Sequence, residues 1–269
     1  MIELYHFAFS TCSQKVRLVL EEKGLEFASH EVNILAGGQH DPEYVKLNPM
    51  HVVPTLVHDG NVIIESSLII KYLDDAFPEP PMRPADPLGR YAVDRWLARV
   101  DDALHVAAPV VTFALGPRNA SLQQPAEMRE ANLEAIPDPV ERATRRSVIE
   151  HGVAAPEFAG ALDVFLDTLD EMERQLADRS WLPGERFGLA DATLLPYVLR
   201  LEHLALDPLL DRTQRPALAD WLSRVKALPS FARAVEAWAA PAAVEMMRTV
   251  GKQLWPEIEP LTRRERARA

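Results

Sequence analysis

Over the first 80 residues, short runs of alternating or β-branched residues are interrupted by stretches with helical spacing. Residues 2–6 alternate between apolar and polar side chains and predict a strand. The polar residues 10–13 offer N-cap chemistry, and Val16 and Val19 then recur at helical spacing until Gly24. The pattern predicts a strand followed by a helix of about three turns.

The next 50 residues predict the rest of the same sheet. Residues 25–32 predict a second strand, and residues 55–57 and 62–64 predict two more. Between these two, residues 58–61 contain an Asp-Gly pair that is typical of a tight hairpin. Apolar spacing over residues 68–73 predicts a closing helix. The order β-α-β and then β-β-α predicts four strands covered by helices, with the first two strands parallel.

Residues 77–87 contain five prolines, which no helix can accommodate, so a domain linker is expected there. The remaining chain is predicted to be helical, with apolar stripes over residues 88–115, 159–176, 189–206, 217–228 and 246–254. We therefore expect an α/β domain at residues 1–80, a linker at 81–87, an all-helical domain at 88–258 and a basic tail at 259–269.

One segment of the helical half departs from this pattern. Residues 117–156 are polar and punctuated by Pro125, Pro137 and Pro139. Prolines spaced in this way favour an irregular or partly helical excursion outside the core.

Composition excludes several classes of partner. The chain of 269 residues has 29 Lys and Arg against 40 Asp and Glu, and this net charge of −11 argues against nucleic-acid binding. No apolar run is long enough to span a bilayer, and the N-terminal residues lack the pattern of a secretory leader. The single cysteine, Cys12, allows no intrachain disulfide, and no histidine or carboxylate spacing predicts a metal site. We expect a cytoplasmic protein without metal, membrane or nucleic-acid partners.

Three sequence motifs occur in a recognisable order: STCSQKVR at residues 10–17, NPMHVVPTL at residues 48–56 and ESSLIIKYL at residues 65–73. Together they resemble the cytosolic glutathione S-transferases, and GLADA at residues 188–192 lies where that family has an S/T-x-x-D helix start. The resemblance implies a thioredoxin-like glutathione-binding domain followed by a helical domain. It also implies a homodimer that uses glutathione as cosubstrate against small hydrophobic electrophiles, as in detoxification.

A narrower similarity comes from the linker and the insert. Residues 77–87, Trp96, Ile136-Pro137 and Arg145-Arg146 are similar to the bacterial β-etherase branch of the family. These enzymes cleave aryl ethers with glutathione.

Three residues at the start of the first helix are candidates for contact with the glutathione sulfur. The resemblance matches Ser10 to the serine whose hydroxyl donates to that sulfur, with the positive end of the helix dipole assisting. Ser13 is an alternative because the β-etherase branch carries a serine there. Cys12 is a third candidate, since a thiol at a helix N-terminus can form mixed disulfides with glutathione. Each serine is also an ordinary helix cap, and an isolated cysteine is often a small buried apolar residue.

The resemblance assigns the remaining parts of glutathione to other residues. Glu65 would accept the γ-glutamyl ammonium, and Ser66 with its helix N-terminus would bind the adjacent carboxylate. Val53 would pair through its main chain with the cysteinyl part, before a cis-Pro54. Three polar loop residues would lie near the glycine carboxylate, namely Gln39, His40 and His51. Without the resemblance, Glu65 and Ser66 are compatible with any helix start, Pro54 defaults to an ordinary trans proline, and the histidines are better explained as exposed loop residues.

The predicted function is therefore a glutathione S-transferase that activates glutathione as a thiolate. Three alternatives remain: cleavage of β-aryl ethers, a thiol transferase that depends on Cys12, and a noncatalytic binding module with the same fold. Asp191 is expected to stabilise its own helix start, where Gly188 replaces the family's Ser or Thr.

Overall fold

The computed structural model describes residues 1–263. The chain divides into two compact units that do not follow its order. Residues 1–98, 175–196 and 217–240 form the first, called here the mixed unit, and residues 99–174, 197–216 and those from 241 onward form the helical unit.

The mixed unit is built on a four-stranded sheet of order β2-β1-β3-β4. The strands are β1 Ile2–His6, β2 Ala28–Glu31, β3 Thr55–His58 and β4 Asn61–Ile63. Strand β1 is parallel to β2 and antiparallel to β3, which is antiparallel to β4. This topology confirms the four predicted strands and the parallel first pair.

The hairpin between β3 and β4 turns at Asp59 and Gly60, which have φ values of 50° and 81°. Positive φ at both central residues is the tight turn that an Asp-Gly pair favours. Strand β2 is shorter than the predicted residues 25–32, because Gly24 ends the preceding helix with φ 63° and residues 25–27 form the connection.

The α-helices of the described chain are, in order, α1 Thr11–Glu22, α2 Pro42–Leu47, α3 Ser66–Ala76, α4 Pro87–Arg99, α5 His105–Leu115, α6 Arg118–Gln123, α7 Ala126–Glu134, α8 Pro139–His151, α9 Pro156–Leu176, α10 Leu189–His203, α11 Pro216–Lys226, α12 Pro229–Ala234 and α13 Pro241–Thr262. A π-helical turn, Val100–Leu104, joins α4 to α5. The run predicted at residues 88–115 is therefore nearly continuous, with the π turn near its middle.

Later parts of the chain complete the core of the mixed unit. The side chains of Val16, Leu18 and Val19 on α1 are fully buried. The fully buried Arg17 on the same helix donates from Nε to the carbonyl of Ala234, 2.8 Å away, at the end of α12. Residues 217–240 thus pack against α1 as part of the mixed unit.

The start of α10 is organised by the fully buried Asp191. Its carboxylate accepts hydrogen bonds from the main-chain N–H groups of Leu182 and Gly188, both at 3.0 Å, and from the indole of Trp221 at 2.7 Å. Burial raises the pKa of Asp191 to about 7, and the three donors oppose that rise. A Cβ at Gly188 would lie 2.7 Å from the carbonyl of Met82, which explains why glycine replaces the usual Ser or Thr.

The expectation that residues 117–156 lie outside the core is wrong in part. They form α6, α7 and α8, and Leu133, Val148 and Ile149 are buried. Pro137 lies in the loop between α7 and α8, but the other two prolines mark helix starts. Pro125 is the N-cap of α7 and Pro139 occupies the first turn of α8, where Asp138 caps the helix by accepting from Val140 N at 2.8 Å. Apolar residues at helical spacing then pack inward from a polar surface.

Helix α13 covers the residues 246–254 that the apolar spacing predicted. The predicted basic tail at 259–269 is described only as far as residue 263, and residues 264–269 lie outside the described chain. Among the described helices, none has the length and apolarity that crossing a bilayer requires.

Candidate functional site

The N-terminus of α1 separates the three candidate sulfur ligands. Ser10 is the N-cap, and its Oγ accepts from the Ser13 N–H at 3.3 Å. Because the hydroxyl acts there as acceptor, its proton remains available to a ligand. Ser13 is fully buried, and its own Oγ accepts from Phe7 N at 3.3 Å. Cys12 is a half-buried thiol in the first turn and forms no disulfide.

The loop before Ser10 is held by Arg17, a residue that sequence reasoning noted only as part of a motif. Its guanidinium donates to the carbonyls of Ala8 at 2.9 Å and Phe7 at 3.4 Å, and lies 5.0 Å from the ring centre of Trp238. Burial lowers the pKa of Arg17 to about 9, so it is still cationic at neutral pH. The buried cation therefore fixes the turn that presents Ser10.

His6 contacts Arg17 and so helps to hold the loop before Ser10. Its Nδ1 lies 3.0 Å from an Arg17 nitrogen and its Nε2 lies 2.8 Å from Ser29 Oγ. Arginine can only donate, so Nδ1 accepts and Nε2 carries the proton of a neutral ring. Burial, and then the charge of Arg17, lower the pKa of His6 to about 4.

The start of α3 lies against α1 through a second buried cation. Lys15 on α1 is fully buried, and its Nζ donates to the hydroxyls of Ser66 at 3.2 Å and Ser67 at 2.9 Å. The exposed Glu65, directly before this helix, has φ 67° and ψ 108°. A non-glycine residue in such a conformation costs of order 1–3 kcal/mol and is a mark of functional sites. A cation, a helix N-terminus and a carboxylate thus meet at one place.

The Val53–Pro54 peptide bond is cis, as the family resemblance implied. Two side chains of the α2 region brace the turn at the carbonyl of the preceding residue 52, where the Tyr44 hydroxyl donates at 2.6 Å and the Asn48 amide at 2.9 Å. Both also reach Thr55 Oγ1 at 3.0 Å. The main-chain groups of Val53 precede β3 and take no part in the described sheet ladder. Main-chain groups outside a sheet ladder are of the kind that an extended peptide can pair with.

Gln39, His40 and His51 form one polar cluster at the surface. Nε2 of Gln39 lies 3.3 Å from Nε2 of His40, and Nδ1 of His40 lies 3.2 Å from Nδ1 of His51. The fold therefore brings these three predicted residues together.

Sequence reasoning missed four members of this region: Lys15, Arg17, Tyr44 and Asn48. The available signal was positional, since Lys15 and Arg17 flank the apolar Val16 in α1. Among the described residues, no group of three or more His, Cys, Asp and Glu side chains is placed to hold a metal ion. The arrangement suits an extended anionic peptide with a reactive group near Ser10.

Comparison with known proteins identifies the family. Residues 4–81 match the family model for the glutathione S-transferase N-terminal domain, and residues 148–224 match the model for its C-terminal domain. Two relatives are similar over most of their length. Tetrachloro-p-hydroquinone reductive dehalogenase of Sphingobium chlorophenolicum is 30% identical over 88% of this chain and 97% of its own. Maleylacetoacetate isomerase of Pseudomonas aeruginosa is 32% identical over 77% and 85%, respectively.

Among solved structures, the β-etherase LigF from Sphingobium sp. strain SYK-6 superposes with a TM-score of 0.78 at 27% identity, covering 88% of this chain and 99% of its own. An α/β thioredoxin-like unit, a helical unit and these relatives together define a glutathione-dependent enzyme. The chain belongs to the glutathione S-transferase family.

Proposed function

We propose that this transferase binds glutathione along the mixed unit and that Ser10 activates its thiol. The observation that carries the proposal is the Ser10 hydroxyl, which caps α1 as an acceptor and keeps its proton for a ligand. The hydroxyl stands on a loop clamped by the buried Arg17. A donor held in this way stabilises an anion without reorganising at the moment of reaction.

The chemistry follows from the thiol itself. A glutathione thiol is mostly protonated at neutral pH, and a hydrogen bond from Ser10 together with the α1 dipole lowers its pKa. The proton leaves to solvent, and the sulfur lone pair forms a bond to the electrophilic carbon. The leaving group departs with the electron pair of the bond that breaks.

Burial favours Ser10 over Ser13, whereas Ser10 and Cys12 are both half-buried. Ser13 is fully buried, and its hydroxyl is occupied by Phe7 N. Cys12 is half-buried beside the same helix N-terminus, which supports the alternative of mixed-disulfide exchange. We therefore assign Ser10 as the sulfur ligand and keep Cys12 as the residue to exclude by experiment.

The rest of glutathione is assigned to the groups already described. Glu65 accepts the γ-glutamyl ammonium, and Ser66, beside the Lys15 ammonium, receives the adjacent carboxylate. Val53, held before cis-Pro54, pairs with the cysteinyl main chain. The glycine carboxylate is assigned to a cluster of three residues, Gln39, His40 and His51.

Cleavage of β-aryl ethers is the second candidate reaction. It is favoured by the similarity to LigF, whose structure matches with a TM-score of 0.78. In this reaction the same thiolate attacks the carbon of the ether bond, and a phenolate leaves with the bonding pair.

The test compares Ser10→Ala with Ser13→Ala and Cys12→Ala. We expect Ser10→Ala to retain glutathione binding by calorimetry but to lose about 10²- to 10³-fold in kcat, the usual effect of removing one such donor. Its rate should recover at higher pH, where the thiol ionises unaided. Conjugation and aryl-ether cleavage assays on the same samples identify the reaction.

The two other variants give the contrasting outcomes. Cys12→Ala should keep the wild-type turnover. If Cys12→Ala instead lost turnover while Ser10→Ala kept it, the protein would be a thiol transferase that depends on Cys12. Ser13→Ala is expected to lower stability more than chemistry, since it leaves Phe7 N without its partner. A wild-type chain that fails to bind glutathione would support the noncatalytic binding module.

The proposal also includes a cytoplasmic homodimer acting on hydrophobic electrophiles in detoxification. The family membership and the single cysteine support it. Light scattering coupled to size exclusion tests the oligomeric state, and a mass of about 30 kDa, that of one chain, would contradict the dimer.

A further inference from the structure

The segment that sequence analysis left unexplained builds a cavity of about 350 Å³ inside the helical unit. Its wall includes Phe113 at the end of α5, Leu133 on α7 and Ile149 on α8. Cavities that bind small molecules begin at roughly this size and are mostly apolar. Residues 117–149 therefore supply most of a pocket that a chain without this segment could not form.

One cation in the wall differs from its neighbours on α8. Arg142 is used to hold main-chain carbonyls of residues 136 and 137, at 2.8–3.3 Å. Arg146 makes two bonds to Glu130, at 2.6 and 2.5 Å. Arg145, by contrast, has only Glu141 as a carboxylate, at 3.9 Å. Its guanidinium is therefore weakly neutralised.

Arg145 is also held in place on an aromatic surface. Its guanidinium carbon lies 4.2 Å from the ring centre of Phe113, and the side chain is 27% exposed. Burial lowers the pKa of Arg145, yet an arginine remains protonated at neutral pH. A stacked guanidinium keeps its planar fork of donors for a carboxylate.

We propose that this cavity binds an aromatic carboxylate of one or two rings. The ring packs among Phe113, Leu133 and Ile149, and the carboxylate accepts from Arg145. Two arginines line the wall, and Arg129 already donates to the main-chain carbonyls of residues 122 and 124. That leaves the stacked Arg145 as the cation for a ligand, beside the apolar side chains, and this pairing favours a monoanion over a phosphate ester or a neutral aromatic compound. The cavity lies wholly within the helical unit, so this inference is independent of the Ser10 chemistry.

The test titrates the full-length protein with cinnamate, and with cinnamamide as its neutral analogue, in the absence of glutathione. We expect cinnamate to bind and Arg145→Gln to weaken it about 10- to 100-fold, the value of hydrogen bonds to a charged partner. Cinnamamide should bind weakly and respond little to the substitution. Glu141→Gln removes the competing carboxylate and should tighten cinnamate binding about two- to fivefold.

Two variants control for fold and for the other site. Arg146→Gln removes an exposed cation of the same helix that does not line the cavity, and should leave cinnamate affinity unchanged. Ser10→Ala should also bind cinnamate normally, so failure of the glutathione chemistry and failure of this pocket are observed separately. Equal affinities for cinnamate and cinnamamide, unchanged binding in Arg145→Gln, or no binding at millimolar cinnamate would each overturn the proposal.

Discussion

A neutral histidine beside a buried arginine sets a pH limit on the loop that presents Ser10. His6 is fully buried and lies between Arg17 and Ser29. Protonating the ring would place a second cation 3.0 Å from the guanidinium, and Nδ1 would lose its role as acceptor. The native state therefore excludes a proton that the unfolded chain accepts.

The free energy of unfolding should depend on pH in a way that reports the neutral state of His6. The pKa of His6 is about 4 in the native state against the ordinary histidine value of 6.5, so the unfolded state binds more protons between those values. Stability conferred by neutral His6 is complete above pH 6.5 and decreases as pH falls toward 4. Wild type should lose about 2 kcal/mol more than His6→Gln between pH 7 and pH 5, measured by urea unfolding.

An exposed histidine provides the matched control. His151 is 57% exposed at the end of α8, and His151→Gln should keep the wild-type pH slope. Equal slopes in wild type and His6→Gln would show that the ring is protonated without cost to the fold.

At this scale, the sequence identified residues whose role follows from a motif and missed those that depend on burial. Ser10, Pro54 and Glu65 could be singled out because they lie in motifs that resemble the glutathione S-transferase family, and Ser10 also has the local signature of a helix cap. Lys15 and Arg17 could not, because charged side chains on a helix are ordinarily exposed. Only the tertiary structure supplies the hydroxyls and carbonyls that satisfy them.

Among the elements, α13 depends on a close approach that only glycine allows. A Cβ added at Gly251 would lie 1.8 Å from the carbonyl oxygen of Leu204, just after α10. The contact lets α13 pack directly on main chain within the helical unit. A side chain there must displace one of the two segments.

We therefore expect Gly251→Ala to destabilise the protein by about 2–4 kcal/mol and to raise hydrogen exchange in α13. Gly160 on α9 is the matched control, since a Cβ there meets nothing within 4 Å. Gly160→Ala should stabilise the chain by about 0.5–1 kcal/mol through helix propensity. Urea unfolding measures both, and a neutral Gly251→Ala would contradict the close packing.

The elements that were predicted wrongly from the sequence lie where proline can play either of two structural roles. Between residues 117 and 156 the prolines predict interruptions of helical structure, although proline also opens helices at the first turn. Pro139 and Pro156 each begin a helix there. The strands and the first helix were easier to predict. Alternation with a period of two indicates a strand, and Gly24 indicates a helix end, so each pattern is compatible with few structures.

Across the whole molecule, the mixed unit is assembled from three separated stretches of chain. The domain boundary predicted at residue 80, where the proline-rich linker begins, remains a prediction. The contacts of Arg17 with Ala234 and Trp238 lie beyond that boundary. Local sequence patterns do not report contacts between such distant segments.

A fragment of residues 1–80 should consequently fail to fold on its own. It would leave the Arg17 guanidinium buried without the Ala234 carbonyl and the Trp238 ring, or else expose the α1 core to water. Circular dichroism and amide dispersion in NMR spectra, compared with the full chain, measure the effect. A cooperatively unfolding fragment with dispersed amides would disprove the dependence.

The Arg17–Ala234 hydrogen bond joins residues 217 positions apart, and this separation also matters while the protein is being synthesised. At roughly 5–20 residues per second, a ribosome needs more than about ten seconds to add that length of chain. Throughout this interval α1 has emerged without the partner segment that covers it. The N-terminal part of the nascent chain should therefore remain a client of ribosome-associated chaperones until translation has passed residue 238.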